Sequence, residues 1–261
     1  MILFRSLVST FRQLEVPTGK PVLVHSSLSA FGEVQGGANT VLGALLACYP
    51  TVLMPAFTFK TMLIPEIGPD KNGLVYGSGK DSNRMAEFFR PDMPVDKLIG
   101  VIPEALRENP KAHRSNHPIL SFVGINTEAA LQAQTIENPL APIGTLADQD
   151  GWVILLGVDH TVNTTIHYAE RLAGRRQFVR WALTPEGVVE CPGFPGCSNG
   201  FSVLEQPLQK VTRQVKAGNA VIKAMPIRAI LDAVKTILAK DPLALLCTQT
   251  DCERCQDFRK K

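Results

Sequence analysis

The sequence lacks a strong charge of either sign. Its 27 lysine and arginine residues are balanced by 24 aspartate and glutamate residues, which gives a formal net charge of +3. A protein that binds nucleic acid through its surface charge needs clustered basic residues, whereas those of this chain are scattered. The short basic groups Arg175-Arg176 and 259–261 are typical of solvated surface. We therefore expect no nucleic-acid partner.

Long apolar runs and export signals are also missing. A membrane-spanning helix needs about 20 consecutive apolar residues, and the sequence has no such stretch. The segment 1–8 is too short, and is interrupted too early by Arg5, to be a signal peptide. We expect no membrane partner and a cytoplasmic protein, in which the six cysteines are reduced.

Internal repeats, low-complexity tracts and linkers are not found either. The hydrophobic and charged fractions, 45% and 20%, are those of an ordinary globular protein. A chain of 261 residues is long enough for a sizeable core. We predict one domain over residues 1–261, with a cysteine-bearing C-terminal portion at 190–261.

The apolar pattern predicts an α/β fold. Buried strands are predicted at 21–25 and 51–55, with a helix at 38–48 between them. A strand, a helix and a strand in this order favour parallel neighbours in one sheet. Further strands are predicted at 119–125 and 152–158 and short ones within 178–189, and further helices at 100–107, 128–134 and 229–240. The segment 58–96 has no periodicity and predicts a long functional loop.

A histidine and a carboxylate three residues apart follow the most apolar strand. Asn163 or Thr164 caps the predicted helix, on which His167 and Glu170 share one face. An imidazole oriented by a carboxylate can act as a general base at neutral pH. Clefts in open α/β sheets lie at the carboxyl ends of strands, where this helix begins. The alternative is a surface ion pair, which contributes less than about 1 kcal/mol.

Two further polar segments border predicted strands. The turn at 25–28, followed by Gly36-Gly37, can present hydroxyl and backbone N–H groups to a phosphate or an amide, and helix capping explains it equally well. The segment 114–118 is kept extended by Pro118. Its Arg114 can bind a phosphate with both arms of the guanidinium or pair with a nearby acid.

The order of these segments resembles that of the aminoglycoside 3-N-acetyltransferase family. The resemblance covers roughly residues 18 to 175. The matching motifs are His25–Leu28 with Gly36-Gly37, Met54-Pro55, Gly100–Glu104, Arg114–Phe122, Leu155–Val158 and Asn163–Glu170. The resemblance implies an α/β domain with a mixed central β-sheet flanked by helices. This is the antibiotic N-acetyltransferase type, distinct from the common GCN5-related acetyltransferase fold.

The resemblance also implies acetyl transfer from acetyl-CoA to an amine, which in this family is the 3-amine of an aminoglycoside antibiotic. His167 would be the general base, oriented by Glu170, and Thr164 would stabilise the oxyanion. The residues implied to hold acetyl-CoA are His25, Ser26, Ser27, Arg114, Ser115, His117, Ser121 and Phe122. We expect direct transfer in a ternary complex, with Ser26 as a nucleophile kept as an alternative, and a monomer or a homodimer.

The acceptor is left open, because aminoglycosides are polycations and the acidic residues of 65–96 are mixed with lysine and arginine. An amine of another class is therefore an alternative. A non-catalytic CoA-binding protein is a second one, although it would not need both His167 and Glu170. A third is a zinc-dependent hydrolase with His25, His117, His160 and His167 as ligands. The spacing of these histidines matches no compact ligand motif.

Cysteines are concentrated in the last third of the chain. Cys252 and Cys255 have the spacing of a metal knuckle, and Cys247 precedes them closely. The turn that ends at Cys197 can supply a fourth thiolate. We predict a structural zinc site formed by Cys197, Cys247, Cys252 and Cys255, with Cys191 as a substitute. The alternative is a set of free thiols with one pair oxidised.

Overall fold

The computed structural model describes residues 1–260, which fold around a seven-stranded mixed sheet. Residues 1–260 form ten strands, of which seven belong to this sheet and three to a smaller one. They are β1 (Val22–Ser26), β2 (Val52–Pro55), β3 (Met62–Leu63), β4 (His113–Arg114), β5 (Phe122–Ile125), β6 (Trp152–Leu156), β7 (Phe178–Thr184), β8 (Gly187–Phe194), β9 (Arg213–Ala217) and β10 (Ala220–Pro226). The order in the seven-stranded central sheet is β4-β5-β2-β1-β6-β10-β9. β1 is parallel to β2 and β6, and the other neighbours are antiparallel. The parallel neighbours predicted from the sequence are thus confirmed.

Helices cover both faces of the central sheet. They are α1 (Phe4–Arg12), α2 (Gly37–Cys48), α3 (Lys80–Arg84), α4 (Val101–Arg107), α5 (Glu128–Gln132), α6 (Ala141–Asp148), α7 (Thr164–Leu172), α8 (Glu205–Leu208), α9 (Ile227–Lys240) and α10 (Glu253–Arg259). Val22 and Val24 of β1 belong to one apolar cluster, together with Leu7 of α1. Leu23 belongs to the opposite cluster, together with Ile166 of α7. Apolar residues on both sides are expected of a central strand that is buried on both faces. None of these helices, within residues 1–260, is long and apolar enough to cross a membrane.

A second, smaller sheet has the order β3-β7-β8 and is antiparallel. Its β7–β8 hairpin is the pair of short strands predicted within 178–189, and it extends to Phe194. At the hairpin turn, the hydroxyl of Thr184 donates to the carbonyl oxygen of Gly187 at 2.9 Å. After β8 the chain brings Cys197 to the C-terminal segment, where it packs with Cys247 and Cys255.

Some elements differ from the sequence prediction. The strand predicted at 119–125 begins only at Phe122. Nδ1 of His117 accepts hydrogen bonds from the N–H groups of Ile119 and Leu120 at 3.1 and 3.0 Å, which folds these residues into a turn. The β9–β10 hairpin and the helices α6 and α10 are not predicted. β9 is an edge strand with a largely polar sequence, and α10 has one buried residue, Cys255.

Candidate active site

Two parallel strands end side by side at one edge of the central sheet. Ser26 of β1 lies in register with Leu156 of β6. Gly157 follows with a φ of +66°, and a Cβ atom at this position would stand 2.4 Å from the Cβ atom of Ala30. Only glycine permits both this backbone conformation and this close approach. The chain therefore leaves β6 close to the turn that follows β1, and continues into α7.

A cavity of about 840 Å³ opens at this edge. Its lining comes from the end of β1, the segments 57–59 and 97–103, the start of α7 and the loop after β8. The polar and charged side chains of the lining are those of His25, Ser26, Ser27, Ser29, Lys97, Thr161, Thr164, His167, Ser198 and Arg254. The volume suits a small-molecule ligand. Because ligands of α/β folds bind at the carboxyl ends of strands, this cavity is the candidate active site.

His167 and Glu170 form the expected pair on the cavity wall. Nδ1 of His167 lies 2.9 Å from Oε2 of Glu170, and the two side chains are 11% and 3% exposed. Asn163 is the N-cap of α7, since its side-chain oxygen accepts a hydrogen bond from the N–H of Thr165. The pair is therefore buried beside the cavity, unlike an exposed surface pair. Because Nδ1 is held by the carboxylate, Nε2 is the ring nitrogen left for a ligand.

Glu170 has a second partner that no sequence pattern predicts. The guanidinium of Arg175 donates to Oε1 of Glu170. It also donates to the carbonyl oxygens of Pro242 and Ala244, at 2.7 and 2.6 Å. The Arg175 side chain is 6% exposed, so its interpretation as solvated surface is wrong, whereas Arg176 is exposed. The buried carboxylate thus lies between a positive charge and an imidazole.

His25 links the end of β1 to the start of α7. Burial lowers the pKa of His25 to about 3, so its ring is neutral at physiological pH. Its Nε2 accepts a hydrogen bond from the N–H of Thr164 at 3.4 Å. Since Thr164 uses its N–H in this way, its hydroxyl is the group it can offer to a ligand in the cavity.

The serines at the end of β1 and just after it lie at the cavity in different settings. Oγ of Ser27 is 3.0 Å from Oγ of Ser29, and both residues line the cavity. Oγ of Ser26 is buried and has no hydrogen-bond partner among residues 1–260. A serine nucleophile needs a base within hydrogen-bond reach. Among residues 1–260, Ser26 therefore has no base within this reach.

Arg114 and Ser121 lie outside the cavity lining. The Arg114 guanidinium donates to Oγ of Ser121 at 3.1 Å. It also donates to the carbonyl oxygens of Ala56 and Met93, at 2.7 and 2.5 Å. Burial lowers the pKa of Arg114 to about 10. Through these hydrogen bonds the guanidinium holds the loop around Met93 against the central sheet.

The other residues of this motif are also separate from the main cavity. Ser115 and His117 line a second cavity of about 610 Å³, and burial lowers the pKa of His117 to about 4. Phe122 lies in the apolar core, where its ring meets that of Phe57 edge to face at 5.7 Å. Phe57 in turn lines the main cavity. The role of this motif in holding acetyl-CoA stays a prediction.

Residues that no sequence pattern predicts complete the main cavity. Lys97 and Arg254 bring positive charge to its lining, and Phe57 and Phe59 bring aromatic surface. Nη1 of Arg254 donates to the carbonyl oxygen of Gly196 at 3.1 Å. Lys97 lies between the nonperiodic segment 58–96 and α4, and Arg254 lies between two cysteines, so neither position carries a local signal that it lines a cavity.

The four cysteines predicted as zinc ligands form one group. The sulfur atoms of Cys197, Cys247, Cys252 and Cys255 all lie within 4.8 Å of one another. Cys191 is not among them, and its thiol faces the carbonyl oxygen of Val189 at 3.8 Å. Within residues 1–260, no second group of three or more metal-ligating side chains comes this close together. The four histidines of the hydrolase alternative therefore do not form a common site.

Comparison with known sequences identifies relatives of this chain. A sequence model of the aminoglycoside 3-N-acetyltransferase family matches residues 23–239. The SPbeta prophage-derived aminoglycoside N(3')-acetyltransferase-like protein YokD of Bacillus subtilis is 31% identical over 182 residues, which are 64% of this chain and 64% of YokD. Aminoglycoside N(3)-acetyltransferase III of Pseudomonas aeruginosa is 28% identical over 194 residues, 65% of this chain and 64% of the relative. The matches thus span less than two thirds of the length of these relatives.

Solved structures share the fold over almost the whole chain. A histidine-to-alanine mutant of aminoglycoside acetyltransferase AAC(3)-IVa, in complex with a gentamicin, has a TM-score of 0.79 at 25% identity and covers 99% of this chain and 96% of its own. The binary complex of AAC-IIIb with CoASH has a TM-score of 0.70 at 23% identity, with coverages of 91% and 96%. The predicted fold class is confirmed. Because the family's sequence model matches most of its length, the chain belongs to the aminoglycoside 3-N-acetyltransferase family.

Proposed function

We propose that this chain is an acetyl-CoA-dependent N-acetyltransferase that acetylates an amine of a small molecule. The observation that carries the proposal is the buried His167–Glu170 pair on the wall of a cavity large enough for a ligand. Membership in the family supports acetyl transfer. The complex of AAC-IIIb with CoASH supports acetyl-CoA as the donor.

The mechanism follows from the positions of the two side chains. At neutral pH the acceptor amine is an ammonium ion, which has no free electron pair with which to attack. Nε2 of His167 removes one proton, while Glu170 holds Nδ1 and stabilises the imidazolium that forms. The amine nitrogen then attacks the thioester carbonyl carbon, a C–N bond forms and the C–S bond breaks. The sulfur takes the proton from His167 and leaves as coenzyme A, and the second amine proton passes to the solvent, which leaves a neutral amide and a neutral His167.

Thr164 is suited to stabilise the oxyanion of the tetrahedral intermediate. It is the first residue of α7 and lines the cavity one helical turn before His167. Its N–H is directed at His25, so the hydroxyl is the donor that we assign to the developing negative charge. Such preorganised donors lower the barrier to acyl transfer.

The charge of the lining suits the proposed donor. Coenzyme A carries several phosphate charges, and Lys97 and Arg254 both line the cavity. Ser26 and Ser27 both line this cavity, and the hydroxyl of Ser27 can bond to the amide groups of the pantetheine arm. We therefore propose that acetyl-CoA binds along the part of the cavity lined by Ser27, Lys97 and Arg254, with its thioester near Nε2 of His167.

The acceptor has two candidates. An aminoglycoside is the first, because the relatives are aminoglycoside acetyltransferases and the AAC(3)-IVa mutant was crystallised with a gentamicin. A less cationic amine is the second, because Lys97 and Arg254 repel a polycation at the cavity lining. Both candidates use the same reaction and the same base.

Coenzyme A release tests the reaction and the acceptor together. Acetyl-CoA is offered with a panel of aminoglycosides, amino sugars and small peptides that carry free amines, and the released thiol is measured. We expect turnover that depends on the amine, with a clear preference for one class. Release with none of them, while calorimetry detects tight CoA binding, would point to the non-catalytic CoA-binding alternative and overturn the proposal.

The His167→Ala variant tests the base. We expect kcat to fall by about 10²–10⁴-fold because proton removal is lost, while the affinity for coenzyme A stays close to that of the parent. His113→Ala is the matched control, since the His113 side chain is 65% exposed. A His167→Ala variant with near-parental kcat would contradict the assigned role.

A further inference from the structure

Four thiols from separate parts of the chain meet beside the cavity. Cys197 lies in the loop after β8, Cys247 lies in the loop after α9, and Cys252 and Cys255 lie at the start of α10. Their sulfur atoms are all within 4.8 Å of one another. In a tetrahedral site with Zn–S distances of about 2.3 Å, the sulfur atoms are about 3.8 Å apart. Small side-chain movements are therefore enough to close the group around one ion.

The surroundings of the sulfur atoms suit thiolate ligands. The N–H of Asn199 points at Sγ of Cys197 at 3.5 Å, and the N–H of Cys247 points at Sγ of Cys255 at 3.4 Å. Backbone donors of this kind orient and stabilise anionic sulfur. All four cysteines are free thiols rather than disulfides, and three of them are buried. The group thus has the donors, the spacing and the shielding of a metal site.

We propose that these four cysteines bind one Zn²⁺ in a closed structural site. Thiolates in a tetrahedral arrangement select zinc among the common divalent ions. Four sulfur ligands leave no position for a substrate, so the metal does no chemistry and instead joins α10 and the α9–α10 loop to the end of β8. Each thiol that binds as a thiolate releases its proton to the solvent.

The zinc site holds one wall of the active-site cavity. Gly196 and Ser198 flank the ligand Cys197 and line the cavity, as does Arg254, which lies between two of the ligands in α10. The hydrogen bond from Arg254 to the carbonyl oxygen of Gly196 joins the two segments directly. This positional role rests on the proposed function, whereas the binding of zinc does not.

The metal content of the purified full chain tests the site. Protein from zinc-supplemented medium is dialysed against a mild chelator, and zinc is measured by mass spectrometry beside a thiol titration. We expect one zinc ion per chain. The ligand thiols should react only after the protein is unfolded in denaturant in the presence of a strong chelator. Cys252→Ser should lose its zinc in the same dialysis, although serine still caps α10 well.

Cys48→Ser is the matched control, because Cys48 is half-buried in α2 and outside the group. Cys48→Ser should keep its zinc. A strong chelator should therefore lower the Tm of Cys48→Ser and of the parent, but not the Tm of Cys252→Ser, which holds no zinc to remove. A parent chain without zinc, its thiols all reactive in the folded state or paired in disulfides, would overturn the proposal. Equal zinc retention by Cys252→Ser would do the same. Because no substrate is present, failure here is distinct from failure of the acetyl-transfer proposal.

Discussion

The two walls of the cavity are built in different ways. The inner wall, defined by His25, Thr164 and His167, lies at the end of the parallel pair β1–β6 and on α7. β1 and β6 pair over their whole length. The outer wall, defined by residues 195–198 and Arg254, belongs to no strand of the described central sheet. Side chains rather than a backbone ladder hold it in place.

This difference has a physical consequence for mutations. A ladder of backbone hydrogen bonds with an apolar core behind it distributes support over many contacts, so the inner wall keeps its shape when one side chain changes. The outer wall depends on a few individual groups, such as the cysteine group and the hydrogen bond from Arg254 to Gly196. We therefore expect changes in the inner wall to alter catalysis and changes in the outer wall to alter binding.

The largest loss of stability is expected where one side chain joins the inner wall to the C-terminal part. Arg175 pairs with Glu170 behind His167 and donates to the carbonyl oxygens of Pro242 and Ala244. In Arg175→Met the carboxylate stays buried without its cation, which costs about 3–5 kcal/mol. Urea unfolding followed by circular dichroism measures this as a lower midpoint.

Arg176→Met is the matched control for this prediction. Arg176 is exposed and its guanidinium lies 5.5 Å from the centre of the Phe178 ring, so its loss should cost about 1 kcal/mol or less. The double variant Glu170→Gln/Arg175→Met no longer buries a charge, and we expect it to be more stable than Arg175→Met alone. Equal losses in the two arginine variants would show that Arg175 does not join these parts.

The pH dependence of stability tests the burial of the inner wall. Burial lowers the pKa of His25 from 6.5 to about 3. Between these pH values the unfolded chain binds a proton at His25 and the folded chain does not. The free energy of unfolding should therefore decrease as the pH is lowered, by about 1.4 kcal/mol per pH unit from this residue. Above pH 6.5 the ring is neutral in both states and its contribution is constant.

His25→Asn isolates this contribution. The variant should show a shallower decrease in unfolding free energy between pH 6 and pH 4, while His113→Asn, changed at an exposed side chain, should follow the parent. His117, whose pKa burial lowers to about 4, contributes equally to all three proteins and cancels in the comparison. A slope in His25→Asn as steep as that of the parent would mean that His25 is not a buried neutral ring.

The inner wall is the part that the sequence predicts well. β1 and β6 are continuous apolar runs, and a spacing of three residues on a helix is enough to place His167 against Glu170. The burial of Arg175 and the position of Arg254 depend on contacts between segments far apart in the chain, which no local pattern encodes. The cysteines are intermediate, because their spacing is visible while the choice of Cys197 over Cys191 depends on the path of the chain after β8.

The smallest effect is expected for a single charge of the outer wall. Arg254 lines the cavity and is half-buried, so its attraction for a phosphate of coenzyme A is partly screened by water. In Arg254→Gln we expect the Kd for coenzyme A, measured by calorimetry, to rise about fivefold, which corresponds to about 1 kcal/mol. The difference from the parent should shrink as salt is added, because added ions screen the charge.

Arg228→Gln separates a local effect of Arg254 from a change in net charge. Arg228 is 56% exposed and pairs with Asp148 and Asp150, and it does not line the described cavity. Both variants lose one positive charge, so an equal change in Kd would assign the effect to the overall field of the protein rather than to the outer wall. If only Arg254→Gln binds coenzyme A more weakly, and if this variant keeps the metal content of the parent, the loss is due to the guanidinium itself. The outer wall then binds coenzyme A through Arg254, while the cysteine group holds this wall in position.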